Sequence, residues 1–193
     1  GADYVLPVTG VLGGMIKLAG VPQERIRVIP NGIDPAKFSA TPSREYAIAR
    51  LGLSGKFVLG FGGFVRPWHG LDKIIEFLAA DRRPDQHLLM VGDGPAREML
   101  LQKARDLGVT EQFTITGIVE RDKVAEHLAA FDVALQPNVV AYASPLKLFE
   151  YLALGLAIVA PATPNIEEVL TNGVNALLFD PQSNDELFAA IRR

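Results

Sequence analysis

The chain has 193 residues, enough for one domain or for one domain with part of a second. Hydrophobic residues make up 49% of it, so a full core can be buried. The formal net charge is −3 without a basic run, which excludes wholesale nucleic-acid binding, since that needs a positive stripe.

Cysteine is absent, which removes disulfides and thiolate metal sites and fits a reducing compartment. No apolar run reaches the roughly 18 residues of a membrane-spanning helix. The start, Gly1-Ala2-Asp3-Tyr4, lacks Met and the basic flank of a signal peptide. The last residues, 185–191, end inside a helical pattern, so the chain is expected to be a piece of a longer protein.

Residues 4–8 read as a strand and 11–18 as a short helix weakened by Gly13 and Gly14. Residues 27–29 read as a second short strand, closed by Pro30-Asn31-Gly32-Ile33-Asp34. A looser stretch with Pro35 and Pro42 follows, then a helical piece at 43–51. Residues 1–40 are read as the tail of a preceding domain and a connector. Residues 41–193 are read as one Rossmann-like domain, truncated at its C-terminal end.

From residue 56 onward, short apolar strands alternate with amphipathic helices. The strands are expected at 57–62, 87–91, 112–116, 133–136, 157–160 and 176–179. The helices are expected at 71–78, 96–107, 121–130, 146–154, 166–170 and 185–191. This alternation predicts an α/β fold: a doubly wound, Rossmann-like parallel sheet with helices on both faces. The strands are nearly continuous apolar runs, as strands buried on both faces are.

In such a sheet, ligands bind outside the carboxyl ends of the strands. After the first core strand comes Gly62-Gly63-Phe64-Val65-Arg66-Pro67-Trp68-His69-Gly70. Gly62 and Gly63 let the backbone approach a ligand closely, and Arg66 and His69 are expected to add positive potential. A tight turn with a solvated arginine explains the same residues. Gly60, Gly62 and Val65 meet G-x-G-x-x-G only imperfectly, which argues against a nicotinamide dehydrogenase.

After the fourth strand, Ser144 reads as a helix N-cap and Pro145 as the first helical residue. Lys147 and Glu150 are three residues apart and share a helix face. A cation in the first turn opposes the helix dipole, so an anion is expected in front of Lys147. Backbone N–H groups there, including that of Leu148, can bind an anion. Glu150 could accept hydrogen bonds from a sugar. A diphosphate beside a ribose meets both demands; a capped helix with a surface lysine and glutamate is the plainer alternative.

Asp93 reads first as a turn former. Gly117 permits close approach of a flat ring, though a turn explains it equally. A structural role for Glu168 is weighed equally with a sugar contact. No His, Asp and Glu cluster has metal spacing, and no nucleophile elbow or triad signature is present.

These segments, in this order, resemble the C-terminal, donor-binding half of retaining GT-B glycosyltransferases of the family 4 type. The resemblance runs through 28–34, 62–72, 91–95, 116–119, 144–151 and 168–179, nearly the whole chain. It implies that Glu150 holds the nucleotide's ribose and that Lys147 and the Leu148 amide face the diphosphate. It implies that Gly117, Ile118 and Val119 meet the base through their backbone. The first glutamate of the family's paired motif falls at Tyr142, and its usual phosphate-binding arginine and lysine fall near Phe64 and His69. Arg66 is then expected to supply the missing charge.

The implied reaction is transfer of a sugar from a nucleotide-diphosphate sugar to an acceptor hydroxyl, with retention. No cofactor or metal is expected, and the acceptor is expected to be met by a preceding N-terminal domain. The isolated chain is therefore expected to be inactive. A cytoplasmic location is expected, with peripheral contact at the inner membrane face through that domain. A GT-B nucleotide-sugar epimerase and a non-catalytic nucleotide-binding scaffold stand as alternatives.

Overall fold

The computed structural model describes residues 2–193. Helix α1 (Gly10–Leu18) is capped by Thr9, whose hydroxyl accepts the Leu12 N–H at 3.0 Å. The backbone before it runs beside residues 25–29: Val5 N–H donates to Arg25 O at 2.8 Å and Arg27 N–H to Val5 O at 3.0 Å. The strands expected at 4–8 and 27–29 thus reduce to one bridge, Val5 with Ile26. Helix α2 (Arg44–Arg50) follows, capped by Ser43.

The domain then runs β1 (Phe57–Gly62), α3 (Leu71–Asp81), β2 (Gln86–Val91), α4 (Arg97–Asp106), β3 (Phe113–Ile115) and α5 (Val124–Leu128). It continues β4 (Val133–Leu135), α6 (Leu146–Ala153), β5 (Ala157–Pro161), α7 (Pro164–Glu167), β6 (Leu177–Phe179) and α8 (Asn184–Arg192). All six expected strands form. Two helices differ from expectation. The one expected at 121–130 is helical only as α5. The one expected at 166–170 begins earlier, because Pro164 already has the φ of a first helical residue.

The strands form one parallel sheet in the order β3-β2-β1-β4-β5-β6. Side chains alternate across the pleat and fill two cores. Leu59, Phe61, Leu88 and Met90 pack on one face with Ile74, Leu78 and Leu187. Val58, Leu89, Ala134 and Ile158 pack on the other with Leu128, Leu148 and Tyr151. Gly60 belongs to this second layer for steric reasons: a Cβ there would lie 2.0 Å from the Phe131 ring. The glycine of the imperfect fingerprint is therefore a packing residue. The strand order reverses between β1 and β4, and in open α/β sheets that reversal opens a crevice at the carboxyl ends.

Candidate functional site

The pairing of β1 with β4 covers only Leu59–Val133 and Gly60–Ala134, so the two strands part beyond Gly60. The loop that leaves β1 is held from the other side by the turn after β2. Gly63 N–H donates to Val91 O and Val65 N–H to Asp93 O, both at 2.8 Å. The approach is close enough to require glycine. A Cβ on Gly92 would sit 2.3 Å from Gly63 O, and one on Gly94 would sit 2.1 Å from Val65 O. Asp93 also accepts the Gly94 N–H at 2.8 Å, so it acts as a turn former.

His69 lies in a short 3-10 turn, Pro67–His69, at the end of this loop. Its Nδ1 accepts the Arg66 N–H at 2.9 Å, which leaves Nε2–H as the ring's remaining donor. The ring is buried against Trp68 and Phe61, with centroids at 3.9 and 5.1 Å. Burial, with the charges of Lys147 and Arg66, holds its pKa down to about 3. The expectation that His69 adds positive potential is corrected: it is a neutral donor. Arg66 is exposed, with its guanidinium 5.4 Å from the centre of the Phe64 ring.

Helix α6 starts at Leu146, where the helical pattern places it, but its cap lies one residue later than the reading of Ser144 and Pro145 expects. Pro145 is the N-cap, with extended backbone and no side-chain cap, and Leu146 is the first helical residue. Ser144 therefore does not cap the helix; its carbonyl instead accepts from the Asn31 side chain at 3.0 Å. The Leu148 N–H, expected to face an anion, donates to Pro145 O at 3.1 Å. The amides left open in the first turn are those of Leu146 and Lys147.

Lys147 is the central charge. Its Nζ lies 3.5 Å from the centre of the Phe61 ring and within 3.6 Å of the space a Cβ on Gly63 would occupy. Among the described residues it has no ion-pair partner. Burial lowers its pKa to about 7, opposed only by the Glu150 charge. Burial likewise raises the carboxyl of half-buried Glu150, against the pull of Lys147 and Arg121. A desolvated ammonium that no carboxylate contacts directly favours an incoming anion.

A cavity of about 300 Å³ opens at the carboxyl ends of β1 and β2, lined by Gly62, Gly63, Phe64, Ile118, Val119 and Glu150. Gly117, at φ 74°, pairs with Gly92 by a single bridge and sets the entry to this wall. Ile118 is 91% exposed there. Glu150 also lines a second cavity of about 400 Å³, with Asp34, Lys37, Arg121 and Leu146. The structure thus brings Gly62, Gly63, Ile118, Val119, Lys147 and Glu150 together. Lys147 joins the others through its Nζ beside Gly63 and lines neither cavity, and Arg66, His69, Ser144, Pro145 and Leu148 are likewise outside both walls.

Glu168 has a structural task. Its carboxylate accepts the N–H groups of Gly10 and Val11 at 2.8 and 3.0 Å, closing the start of α1. Three residues that hold the site escaped sequence reasoning. Phe61 and Tyr151 are hidden in apolar runs. Asn165, buried in α7, donates to the carbonyls of Val140 and Ala143 and anchors the loop before α6. A polar residue just after Pro164 was its only signal.

Comparison with known proteins agrees with this geometry. The family model described as glycosyl transferases group 1 matches residues 55–193. A 2-deoxystreptamine glucosyltransferase of Streptomyces kanamyceticus is 34% identical over 125 residues, 62% of this chain and 32% of its own. A GDP-mannose-dependent alpha-(1-6)-phosphatidylinositol monomannoside mannosyltransferase of Mycolicibacterium smegmatis is 28% identical over 199 residues. That alignment covers 98% of this chain and 52% of the mannosyltransferase.

Among solved structures, Anabaena HepE in complex with UDP and glucose superposes with a TM-score of 0.89 at 25% identity, covering 99% of this chain and 53% of HepE. HepE with UDP-glucose gives 0.88. The chain thus spans about half the length of the mannosyltransferase and of HepE, and its match covers about a third of the glucosyltransferase. With the sheet order, the crevice and this match over 55–193 in hand, the chain belongs to the glycosyl transferases group 1 family and has the fold of one half of a GT-B glycosyltransferase.

Proposed function

We propose that this chain is the donor half of a hexosyltransferase that takes a sugar from a nucleotide diphosphate and passes it to an acceptor hydroxyl with retention. The single observation that carries this is Lys147: an ammonium without an ion-pair partner, partly stripped of water, in the first turn of α6 at the switch point of the sheet. As the sugar–phosphate bond breaks, charge grows on the diphosphate. Groups that meet that growing charge stabilise the transition state more than the ground state. Lys147, the open amides of Leu146 and Lys147, and the neutral Nε2–H of His69 are the donors available for this. The diphosphate crosses Gly63, and the ribose reaches Glu150. The base rests against the backbone at Gly117, Ile118 and Val119.

The reaction so described needs no cofactor and no metal, because these fixed donors carry the leaving-group charge. Arg66 adds its charge from the loop surface once the donor is seated. The acceptor is met by a further domain, so the isolated chain binds nucleotide without transferring sugar. We assign the full-length protein to the cytoplasm, with peripheral membrane contact through that domain. HepE, the neighbour whose complexes hold UDP and UDP-glucose, supports the donor class.

Titration calorimetry of this chain with UDP, GDP and ADP tests the core of the proposal. Binding of one nucleotide, weakened in Lys147→Ala, is the expected result. No binding by a well-folded chain favours a non-catalytic scaffold. Proton NMR of the product's anomeric centre, made by the full-length protein, tests retention.

A further inference from the structure

Among the described residues the Lys147 ammonium has no hydrogen-bond or ion-pair partner, yet it occupies a defined place. A lysine side chain has four rotatable bonds, and the Glu150 carboxylate is one turn away on the same helix face. What the ammonium meets instead is the flat of one ring, that of Phe61, at 3.5 Å from the centroid. Phe61 is fully buried in β1, packed in the core with Ile74, Leu78 and Leu187; His69 meets its ring at 5.1 Å and 62°, and Trp68 lies on His69 at 3.9 Å. Trp68 is itself anchored, since the Asn138 side chain donates to its carbonyl at 3.0 Å. The groups that face Lys147 are therefore an aromatic column, the Gly63 backbone, neutral His69, Arg66 beyond it and Glu150 on its own helix.

We propose that Phe61 is a positioning residue, whose ring face holds the Lys147 ammonium over Gly63 without neutralising it, so that the full charge faces the diphosphate of the donor. This rests on the donor-site assignment above. A carboxylate in the place of the ring would fix the lysine equally well but would cancel the charge the ligand needs. An aliphatic side chain would leave the ammonium free to turn to Glu150 or to solvent. The negative face of an aromatic ring attracts a cation through its quadrupole and carries no net charge. Gly63 borders the ammonium: a Cβ there would stand in ordinary contact with Nζ at 3.6 Å, and it is the φ of 121° that favours glycine.

The test weakens the quadrupole of residue 61 at nearly constant shape. Phenylalanine at 61 is replaced by its 4-fluoro, 3,5-difluoro and 3,4,5-trifluoro analogues, and dissociation constants for UDP, GDP and ADP are measured with melting temperatures. The bound nucleotide is expected to weaken stepwise, by about tenfold across the series, while the melting temperature stays level. In Lys147→Met the same fluorine series is expected to be flat. Phe61→Leu should weaken the nucleotide at least as much as the trifluoro ring, and it serves where that ring does not fold.

A flat series in the wild-type background overturns the role of Phe61, as does a series in which fluorine tightens binding. Absence of any nucleotide binding by the unsubstituted chain instead overturns the donor-site assignment, so the two failures are distinguishable.

Discussion

The hydroxyl of Tyr151 accepts the backbone N–H of Gly62 at 2.8 Å, deep in the interior. Alternate amides of a strand point to opposite neighbours. Gly63 donates to β2, so Gly62 faces the side where β4 has already turned away. Tyr151, on α6, supplies the missing acceptor and ties the last residue of β1 to the helix that carries Lys147 and Glu150. The crevice that could take a ligand is thus stabilised at its floor by one hydrogen bond between its two walls. Burial raises the pKa of that hydroxyl further, so it stays protonated across the working range.

Tyr151→Phe leaves the Gly62 N–H buried without a partner. The expected cost is about 1–3 kcal/mol of stability, read as a lower midpoint in urea with an unchanged slope. Nucleotide affinity should fall as well, because the two walls lose their common anchor. An unchanged midpoint would show that water replaces the hydroxyl.

Lys147→Ala in the full-length protein should lower turnover about a hundredfold, the usual effect of removing one donor to a growing negative charge. Glu168→Gln should leave turnover near normal, because Glu168 caps α1 and touches neither cavity. Its effect should appear in thermal unfolding of the N-terminal segment. Steady-state rates of both variants, measured side by side, check this.

Lys147 also sets two pH dependences. In the free site its pKa stands near 7, below the ordinary 10.5, and a bound diphosphate raises it again. Binding therefore takes up a proton above pH 7, and affinity should fall by up to tenfold per unit from about pH 7 upward. For folding the sign is opposite. Between about pH 7 and 10.5 the unfolded chain holds the proton that the folded chain has lost, so this group's contribution to stability rises with pH. Lys147→Met should remove both slopes and raise the melting temperature at pH 7, since a charge is no longer desolvated. Calorimetry in buffers of different ionisation enthalpy counts the protons directly.

Glu150→Gln should weaken a ribonucleotide diphosphate by about 1.5–3 kcal/mol, the range for hydrogen bonds to a charged group. The 2′,3′-dideoxy nucleotide should bind wild type and variant alike. Equal losses for both ligands would move Glu150 away from the ribose.

Gly92→Ala should damage the site without touching a ligand. Its Cβ would stand 2.3 Å from Gly63 O, at a φ of 130° that side chains rarely adopt. The loop after β1 must then shift under Lys147, and nucleotide binding should drop more than the melting temperature does. Gly173, with open space around it, offers the control: Gly173→Ala meets no neighbour, and only its φ of 74° is strained.

Much of this was readable from residue order. Hydrophobic period, glycine and proline positions and strand–helix alternation are local properties, and they determined the six strands, the parallel sheet and the ligand edge. Chain order of the motifs determined the glycosyltransferase resemblance, and Lys147 with Glu150 followed from a spacing of three. What the tertiary structure alone decided is the state of those groups. His69 is neutral because Phe61, Trp68 and the Arg66 amide close around it, and Lys147 is partly stripped of water by a ring 86 positions earlier in the chain. Glu168 proved a cap because its carboxylate meets two amides 158 and 157 residues away. Desolvation and electrostatic partnership depend on distance in space and carry no period along the chain, so residue order names the charges while packing sets what each one does.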